Sequence, residues 1–240
     1  MRVLFTLCAL WLGTALYAQE VFWTEDFGTG CNQGQVVSSY SGTNGAWTLA
    51  NSGSNQTASN TFYVSAMENG NAPGECGSSC GNDRSLHVGN VFIDAILIQI
   101  PADQGASYYD SGAAGLCGFI DCSTTDKRAQ SPVIDCTGYE NIEVTFSYLE
   151  GGNGITDNAV LQYNTGSGWL VLQDLPKTTC CGGPCNGTNQ GLWSELTVTL
   201  PEEAADNPNV QLGIRWVNND DGVGTDPSFA IDDISLSGTP

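Results

Sequence analysis

The stretch that decides the fold is Ser228-Phe229-Ala230-Ile231-Asp232-Asp233-Ile234-Ser235-Leu236. Apolar and polar residues alternate in its second half, which is the period of a half-buried β-strand. Asp232 falls on the same face as Ile234 and Leu236, so a carboxylate points to the side where the apolar residues form a core. Such a carboxylate is costly unless it is paired, hydrogen-bonded or bound to a metal. This strand therefore predicts a buried acidic site.

The stretch Glu20–Phe27 shows the same conflict between strand pattern and charge. Val21, Trp23, Glu25 and Phe27 share one face of the strand that its alternation predicts. Glu25 is thereby placed among large apolar neighbours. A second inward carboxylate is predicted near the start of the secreted chain.

Composition and strand spacing predict an all-β domain. The chain has 240 residues, of which 40% are hydrophobic and 30 are glycine, as expected of short strands joined by polar loops around one large core. Val91–Ile100 is predicted to be a buried strand or a loop packed over the core. Further strands are predicted at Gly45–Leu49, Thr61–Ala66, Ser85–Val88, Ile142–Tyr148, Ala159–Tyr163, Trp169–Leu172, Trp193–Leu200 and Val210–Val217. We therefore expect an antiparallel β-sandwich.

The first eighteen residues have the pattern of a secretory signal peptide. Arg2 provides the positive start, Val3–Gly13 the apolar segment, and Leu16-Tyr17-Ala18 a cleavage site before Gln19. The apolar segment is too short to remain as a membrane span. We predict a secreted or cell-surface protein whose single domain covers residues 19–240, with no membrane insertion of the mature chain.

The charge balance narrows the range of partners. The formal net charge is −20, with 26 acidic residues against six basic ones. Nucleic acids and anionic membranes require clustered Lys and Arg, so neither is expected as a partner. Carboxylates of this number favour solubility and the binding of hard cations.

Cysteine spacing predicts local disulfides in two insertions, at about residues 70–125 and 176–190. Nine cysteines follow the signal peptide, and in an exported chain disulfides are their usual state. Zinc is the alternative, but Cys-x-x-Cys pairs are absent and His87 is the sole histidine. The odd number leaves one thiol unpaired or bonded to a partner. The closely spaced pairs are Cys76 and Cys80, Cys117 and Cys122, and Cys181 and Cys185.

The order of motifs resembles a known family. Ser131-Pro132-Val133-Ile134-Asp135, then Ile142–Tyr148, then the closing Phe229–Leu236, together with the opening Glu25-Asp26-Phe27, are similar to the MAM-type jelly-roll modules. The resemblance is greatest to the version found in exported surface proteins of Bacteroidota-type bacteria. It implies a concanavalin-like sandwich that covers most of residues 20–238.

The resemblance also implies a structural Ca²⁺. In such jelly rolls the first and last strands lie close together, which would bring Glu25 near Asp232, and two half-buried carboxylates repel unless a cation joins them. Glu25 and Asp232 are the principal ligands that we expect, with Asp26, Asp157 and Asp233 as secondary ones. The alternative is that Glu25 and Asp232 accept hydrogen bonds from the backbone or from Arg215, with no metal.

The sequence gives little support to catalysis. His87 lies in a strand pattern, and Glu140, Glu143 and Glu150 have the character of strand-edge acids. We therefore predict that the protein is not an enzyme.

The remaining class is a binding module for adhesion or recognition of an extracellular glycan or surface protein. Aromatic side chains are the usual platforms for sugars, although in strands they are more often part of the core. The candidates are Trp169, Trp193, Tyr108 and Tyr109. The alternative function is a glycan-binding accessory domain of an extracellular hydrolase.

Overall fold

The computed structural model describes residues 18–30, 36–56, 59–67, 83–89, 91–93, 99–101, 103, 105–106, 108, 124–180, 190–191, 193–219, 221, 223–224 and 227–240. Helical structure in these ranges is limited to two short 3-10 turns, Val37–Ser39 and Glu202–Ala204. Within the same ranges, no helix has the length and apolar character needed to cross a membrane.

Strands make up most of the fold. In chain order they are β1 (Glu20–Glu25), β2 (Ser41–Gly42), β3 (Gly45–Ala46), β4 (Thr48–Asn51), β5 (Thr61–Ser65), β6 (Ser85–Gly89), β7 (Val91–Ile93), β8 (Gln99–Pro101), β9 (Thr125–Gln130), β10 (Glu140–Glu150), β11 (Asn158–Asn164), β12 (Trp169–Asp174), β13 (Thr179–Cys180), β14 (Gln190–Gly191), β15 (Ser194–Thr199), β16 (Gln211–Asn218) and β17 (Phe229–Thr239).

Two antiparallel sheets form the domain. One has the strand order β15-β10-β17-β6-β5, with β1 also paired to β17, and the other has the order β12-β11-β16-β9-β4. Most of the predicted strands are present with similar bounds. The strand predicted at Gly45–Leu49 is divided, because β3 pairs with β2 whereas β4 pairs with β9. The segment Val91–Ile100 differs from the single strand or loop expected, because β7 pairs with β8 as a hairpin. The prediction of an all-β antiparallel sandwich is confirmed.

The core lies between the two sheets and is rich in aromatic side chains. Phe62, Phe146 and Phe229 come from the first sheet, Trp216 comes from the second, and Trp47 precedes β4; each is at most 1% exposed. Aromatic residues of this size bury large apolar areas, so truncating one to alanine typically costs about 3–5 kcal/mol. The alternation in the sequence is thus explained by one continuous apolar layer.

The last strand changes partner in its middle. On one side β17 pairs with β10, whereas on the other side Ala230 and Ile231 pair with β6, and the stretch from Ile234 onward pairs with β1. Asp232 and Asp233 fall between these two partners. Asp233 has a positive φ of 51°, and the register with β10 also shifts here, as in a β-bulge.

The cysteine predictions fall mostly outside the described part of the chain. Residues Cys76, Cys80, Cys117, Cys122, Cys181 and Cys185 lie there, as do residues 1–17 of the predicted signal peptide. Cys136 is described and carries a free thiol within the core. Burial, with a smaller effect of Asp135, raises the pKa of this thiol to about 12, so Cys136 stays uncharged and contributes as a small apolar residue.

Candidate functional site

The change of partner along β17 brings acidic residues from three parts of the chain together. Asp26 follows the end of β1, Asp83 precedes β6, and Asp232 and Asp233 lie between those strands in the middle of β17. A bridge between Thr29 and Asp83 links the segments that flank β1 and β6. We call these four acids the acidic gap.

Asp232 is the buried member of the acidic gap. Its side chain is 1% exposed, and Oδ1 accepts a 2.8 Å hydrogen bond from the Asp233 N–H. Burial, together with the smaller effects of the charges of Asp233, Asp83 and Asp26, raises the pKa of Asp232 to about 9, against the lowering effect of the Asp233 hydrogen bond. Burial and the same two neighbours raise the pKa of Asp233. The gap therefore favours a proton or a cation at neutral pH.

Glu25 is buried nearby on β1 but has its own hydrogen-bond donors. Oε1 accepts from the Tyr40 hydroxyl at 2.9 Å and from the Phe27 N–H at 3.1 Å, and Oε2 accepts from Trp47 Nε1 at 3.0 Å. Glu25 is 4% exposed and lies opposite Ile234 in the β1–β17 pairing. The first and last strands are thus adjacent, as the resemblance implies, and Glu25 matches the alternative of a hydrogen-bonded carboxylate.

Arg215, one of the donors considered in the metal-free alternative, does not pair with Glu25 or Asp232. Arg215 Nε and Nη2 instead donate to the two oxygens of Asp126, each at 2.7 Å. Across the residues that the structure describes, no group of three His, Cys, Asp or Glu side chains converges closely enough to hold a metal ion. To bind an ion in the acidic gap, the carboxylates of the gap would therefore have to move closer to one another.

Asp157 and Tyr108 form a separate buried pair. The Tyr108 hydroxyl donates to Asp157 Oδ2 at 3.1 Å, and the Asn219 N–H donates to Oδ1 at 3.4 Å. Burial raises the pKa of Asp157 to about 6. Tyr108 is 5% exposed and contacts Trp216 edge-on, so its side chain belongs to the core; Tyr109 lies outside the described residues.

Trp169 lies on the outer face of the five-stranded sheet, away from the core. Its ring reaches from the edge strand β12 across the sheet to Gly213 of β16, where a Cβ atom would come within 2.5 Å of Trp169 Cζ3. The same Cβ would come within 2.7 Å of Arg128 Cδ, and the Arg128 guanidinium lies 4.1 Å from the centre of the indole ring. Glycine at position 213 is what allows the two side chains to meet over the sheet.

Polar side chains surround this aromatic residue in register. Gln162, Gly213, Gln130 and Thr48 are successive partners across β11, β16, β9 and β4. Arg128 Nη1 donates to Gln162 Oε1 at 3.2 Å, and Thr48 Oγ1 donates to Gln130 Oε1 at 3.2 Å. We call the group formed by Trp169, Arg128, Gln162, Gln130 and Thr48 the tryptophan face; Gln162 is its buried member, at 6% exposure.

Sequence reasoning found only one member of the tryptophan face. Trp169 was predicted from its residue type, whereas Arg128 and Gln162 occupy the polar phase of strands whose apolar phase fills the core. That alternation is visible in the sequence, but the strand order that makes β9 and β11 flank β16 is not. The sequence therefore indicates that Arg128 and Gln162 point away from the core, but it does not indicate that they lie next to Trp169.

Trp193 is placed differently from Trp169. It is partly buried against Ala106, Leu149 and Ala230 in a small apolar cluster. Its Nε1 is buried without a hydrogen-bond partner among the described residues. Trp193 and Trp169 therefore do not form one surface.

A serine, a histidine and an aspartate do lie together, but inside the protein. His87 Nε2 is 2.8 Å from Asp103 Oδ1, and Ser85 Oγ is 3.4 Å from His87 Nδ1. Ser85 and His87 are fully buried and Asp103 is 8% exposed. A catalytic serine must reach its substrate, so this arrangement has the geometry of a structural network.

Comparisons with known proteins find similarity at the level of solved structures. No protein-family model matches the chain, and no curated protein matches it. The K1 cleaved adhesin domain of Lys-gingipain from Porphyromonas gingivalis is 14% identical, with a TM-score of 0.42 over 93% of this chain and 99% of that domain. The K3 adhesin domain is 12% identical, with a TM-score of 0.44 over 90% and 98%.

A carbohydrate-binding module is also among the similar structures. The Caldicellulosiruptor saccharolyticus CBM27-1 domain, solved with mannohexaose, is 11% identical, with a TM-score of 0.40 over 78% of this chain and 88% of that one. At these identities no residue role passes from any of these domains to this chain. The MAM-like label stays a prediction.

Proposed function

We propose that this protein is a secreted, non-catalytic binding module for adhesion or recognition, and that the tryptophan face binds an extracellular glycan. The observation that carries the proposal is the position of Trp169, which lies across a sheet among amide, hydroxyl and guanidinium groups. Aromatic faces contact the apolar faces of sugar rings, while such polar groups hydrogen-bond to the hydroxyls.

The side chains of the tryptophan face are held in fixed orientations, as a binding site requires. Its members belong to strands of one sheet, and Arg128 is held by both Trp169 and Gln162. Side chains that are already oriented lose less conformational entropy when a ligand binds. Ser85, His87 and Asp103 are the residues that most resemble a hydrolase centre. Because they are buried, a substrate does not reach them, and this favours binding over catalysis.

Replacing Trp169 by alanine is expected to weaken glycan binding at least about tenfold, equivalent to about 1.4 kcal/mol, because the apolar contact to the sugar is lost. The measurement is a glycan array followed by calorimetric titration of the best ligand. Thr197→Ala is the control, because Thr197 is exposed on the other sheet, where its hydroxyl lies 2.9 Å from Thr145 Oγ1. Its affinity should equal that of the wild type.

Three outcomes would count against a glycan ligand. The first is a wild-type protein that binds no sugar on the array, which would favour a surface protein as partner. The second is an affinity that Trp169→Ala leaves unchanged, which would move the site elsewhere. Turnover of a bound oligosaccharide would contradict the non-catalytic assignment itself.

Calcium is proposed as a structural ion of the acidic gap. The ligands that we propose are Asp232, Asp233 and Asp26, whose carboxylate oxygens are the donors that Ca²⁺ prefers. Support comes from the buried Asp232 carboxylate, which accepts a hydrogen bond from the Asp233 N–H. Glu25 and Asp157 are left out of this set because each is held by its own donors. When bound, the ion would neutralise the gap and hold β1 and β6 beside β17.

A further inference from the structure

An amine, a carboxamide and a carboxylic acid meet at one end of the sandwich. Lys177 Nζ lies 2.5 Å from Glu150 Oε1 and 2.8 Å from Asn158 Oδ1, and it also donates to the Asp157 carbonyl oxygen at 2.9 Å. Glu150 ends β10, Asn158 begins β11, and Lys177 follows β12. Folding is therefore required to bring the three groups together.

Glu150 has the properties of a proton-transfer group. Its side chain is fully buried, Oε1 also accepts from the Ala159 N–H at 2.8 Å, and Oε2 is buried without a hydrogen-bond partner in the described part of the chain. Burial raises the pKa of Glu150 to about 7, even though Lys177 and the Ala159 N–H act to lower it. The raised pKa makes the Glu150 carboxylate a stronger proton acceptor than an exposed glutamate.

The carboxamide of Asn158 is held at both of its polar atoms. Oδ1 accepts from Lys177, while Nδ2 donates to Asp174 Oδ1 at 2.8 Å. The carbon between them lies next to the amine, in the arrangement from which intramolecular reactions gain most of their rate. Asp174 is exposed, so a leaving group released beside it reaches solvent.

We propose that Lys177 and Asn158 become joined by an intramolecular isopeptide bond, with Glu150 as the catalytic residue. Glu150 takes a proton from the Lys177 ammonium, and the free amine attacks Asn158 Cγ. The Nζ–Cγ bond forms, Glu150 passes the proton to Nδ2, and the Cγ–Nδ2 bond breaks. Ammonia leaves, the proton that the attacking Nζ loses moves through Glu150 to the ammonia to give ammonium, and Glu150 ends as a carboxylate, so no oxidant or reductant is needed.

The bond would give the domain a covalent cross-link that is independent of cysteine. It would close the segment from Asn158 to Lys177, which contains the β11–β12 hairpin and Trp169 of the tryptophan face. An amide survives reducing conditions that open disulfides. The cross-link would thereby hold the edge of the five-stranded sheet in place outside the cell.

The test is peptide mapping of the purified, folded protein after reduction and alkylation. Cleavage before aspartate separates the peptide 157–173, which holds Asn158, from the peptide 174–205, which holds Lys177. We expect the two to be recovered as one branched species that is lighter than their sum by one ammonia, about 17 Da. The loss of ammonia must be assigned to this pair of peptides, because cyclisation of Gln19 or reaction at Asn153-Gly154 would also release ammonia from the protein.

Variants separate the cross-link from a simple salt bridge. Lys177→Arg and Glu150→Gln should each yield the two peptides unlinked, whereas Lys127→Arg should keep the branched species. Lys127 is the matched control because its amine is also partly buried but contacts only the backbone carbonyls of Ser59 and Asn60. Unlinked peptides from the folded wild type would overturn the proposal whatever the variants do. A branched species in Glu150→Gln would overturn the role of Glu150.

Discussion

Replacing Asp232 by asparagine is expected to stabilise the protein when calcium is absent and to abolish its stabilisation by calcium. The pKa of Asp232 is raised from 3.8 to about 9, mainly by burial, so at neutral pH the carboxylate must take up a proton when the protein folds, and this opposes folding. The linked free energy at pH 7 is of the order of 4 kcal/mol. Asparagine removes that cost while keeping a side-chain oxygen for the Asp233 N–H.

The pH dependence of the same variant has a definite sign. Because the folded-state pKa of Asp232 is raised, its favourable contribution is complete below about pH 4 and is lost as the pH rises toward 9. In EDTA, the difference in Tm between Asp232→Asn and the wild type should therefore grow from pH 5 to pH 9. Calcium should raise the Tm of the wild type alone, and more strongly at higher pH, because the ion binds the ionised carboxylates.

Glu195→Gln is the control for Asp232→Asn, since it makes the same chemical change at an exposed position. Its Tm should match the wild type with and without calcium. A wild-type Tm that does not respond to calcium or EDTA would remove the calcium proposal. A lower Tm for Asp232→Asn in EDTA would show instead that the ionised carboxylate is stabilised in the folded protein.

Replacing His87 by alanine is expected to destabilise the protein by about 3–5 kcal/mol, because Asp103 would keep a buried charge without its partner. The pair is enclosed, with the His87 and Asp103 side chains both at 0% exposure. Burial by itself raises the pKa of Asp103, but the charge and hydrogen bond of His87, with smaller contributions from Ser65 and Gly105, outweigh it and set the pKa at about 2. Urea unfolding at pH 7 measures the loss.

Acid unfolding gives a second measure of the His87–Asp103 pair. A carboxyl with a lowered folded-state pKa stabilises the protein above about pH 4, and this contribution is lost as the pH falls toward 2. The wild type should therefore lose stability between pH 4 and pH 2, and His87→Ala should lose less of it there. Ser85→Ala is the control, because the 3.4 Å contact of Ser85 to His87 is long for a hydrogen bond.

A double variant distinguishes electrostatic loss from a simple cavity. Adding Asp103→Asn to His87→Ala removes the uncompensated charge, so the pair of changes should cost less than His87→Ala alone. A cost below about 1 kcal/mol for His87→Ala would contradict the importance of the ion pair. Equal costs for the single and double variants would assign the loss to packing.

Much of the fold can be predicted from alternation in the sequence. Asp232, Ile234 and Leu236 were predicted to share an inward face, and all three are nearly fully buried. The same reasoning placed Glu25 inward, where it is 4% exposed. This works because the side-chain direction along a strand is a local property with a period of two residues.

The sequence by itself determined which residues point inward, the all-β class and the acidic character of the last strand. Only the tertiary structure decided their partners: the donors that hold Glu25, the change from β6 to β1 beside Asp232, and the meeting of Glu150, Asn158 and Lys177. From sequence, Glu150 is an ordinary acid at a strand edge. The physical reason is that periodicity is local, whereas strand order and register join residues far apart in the chain through a core that forms only when both sheets pack together.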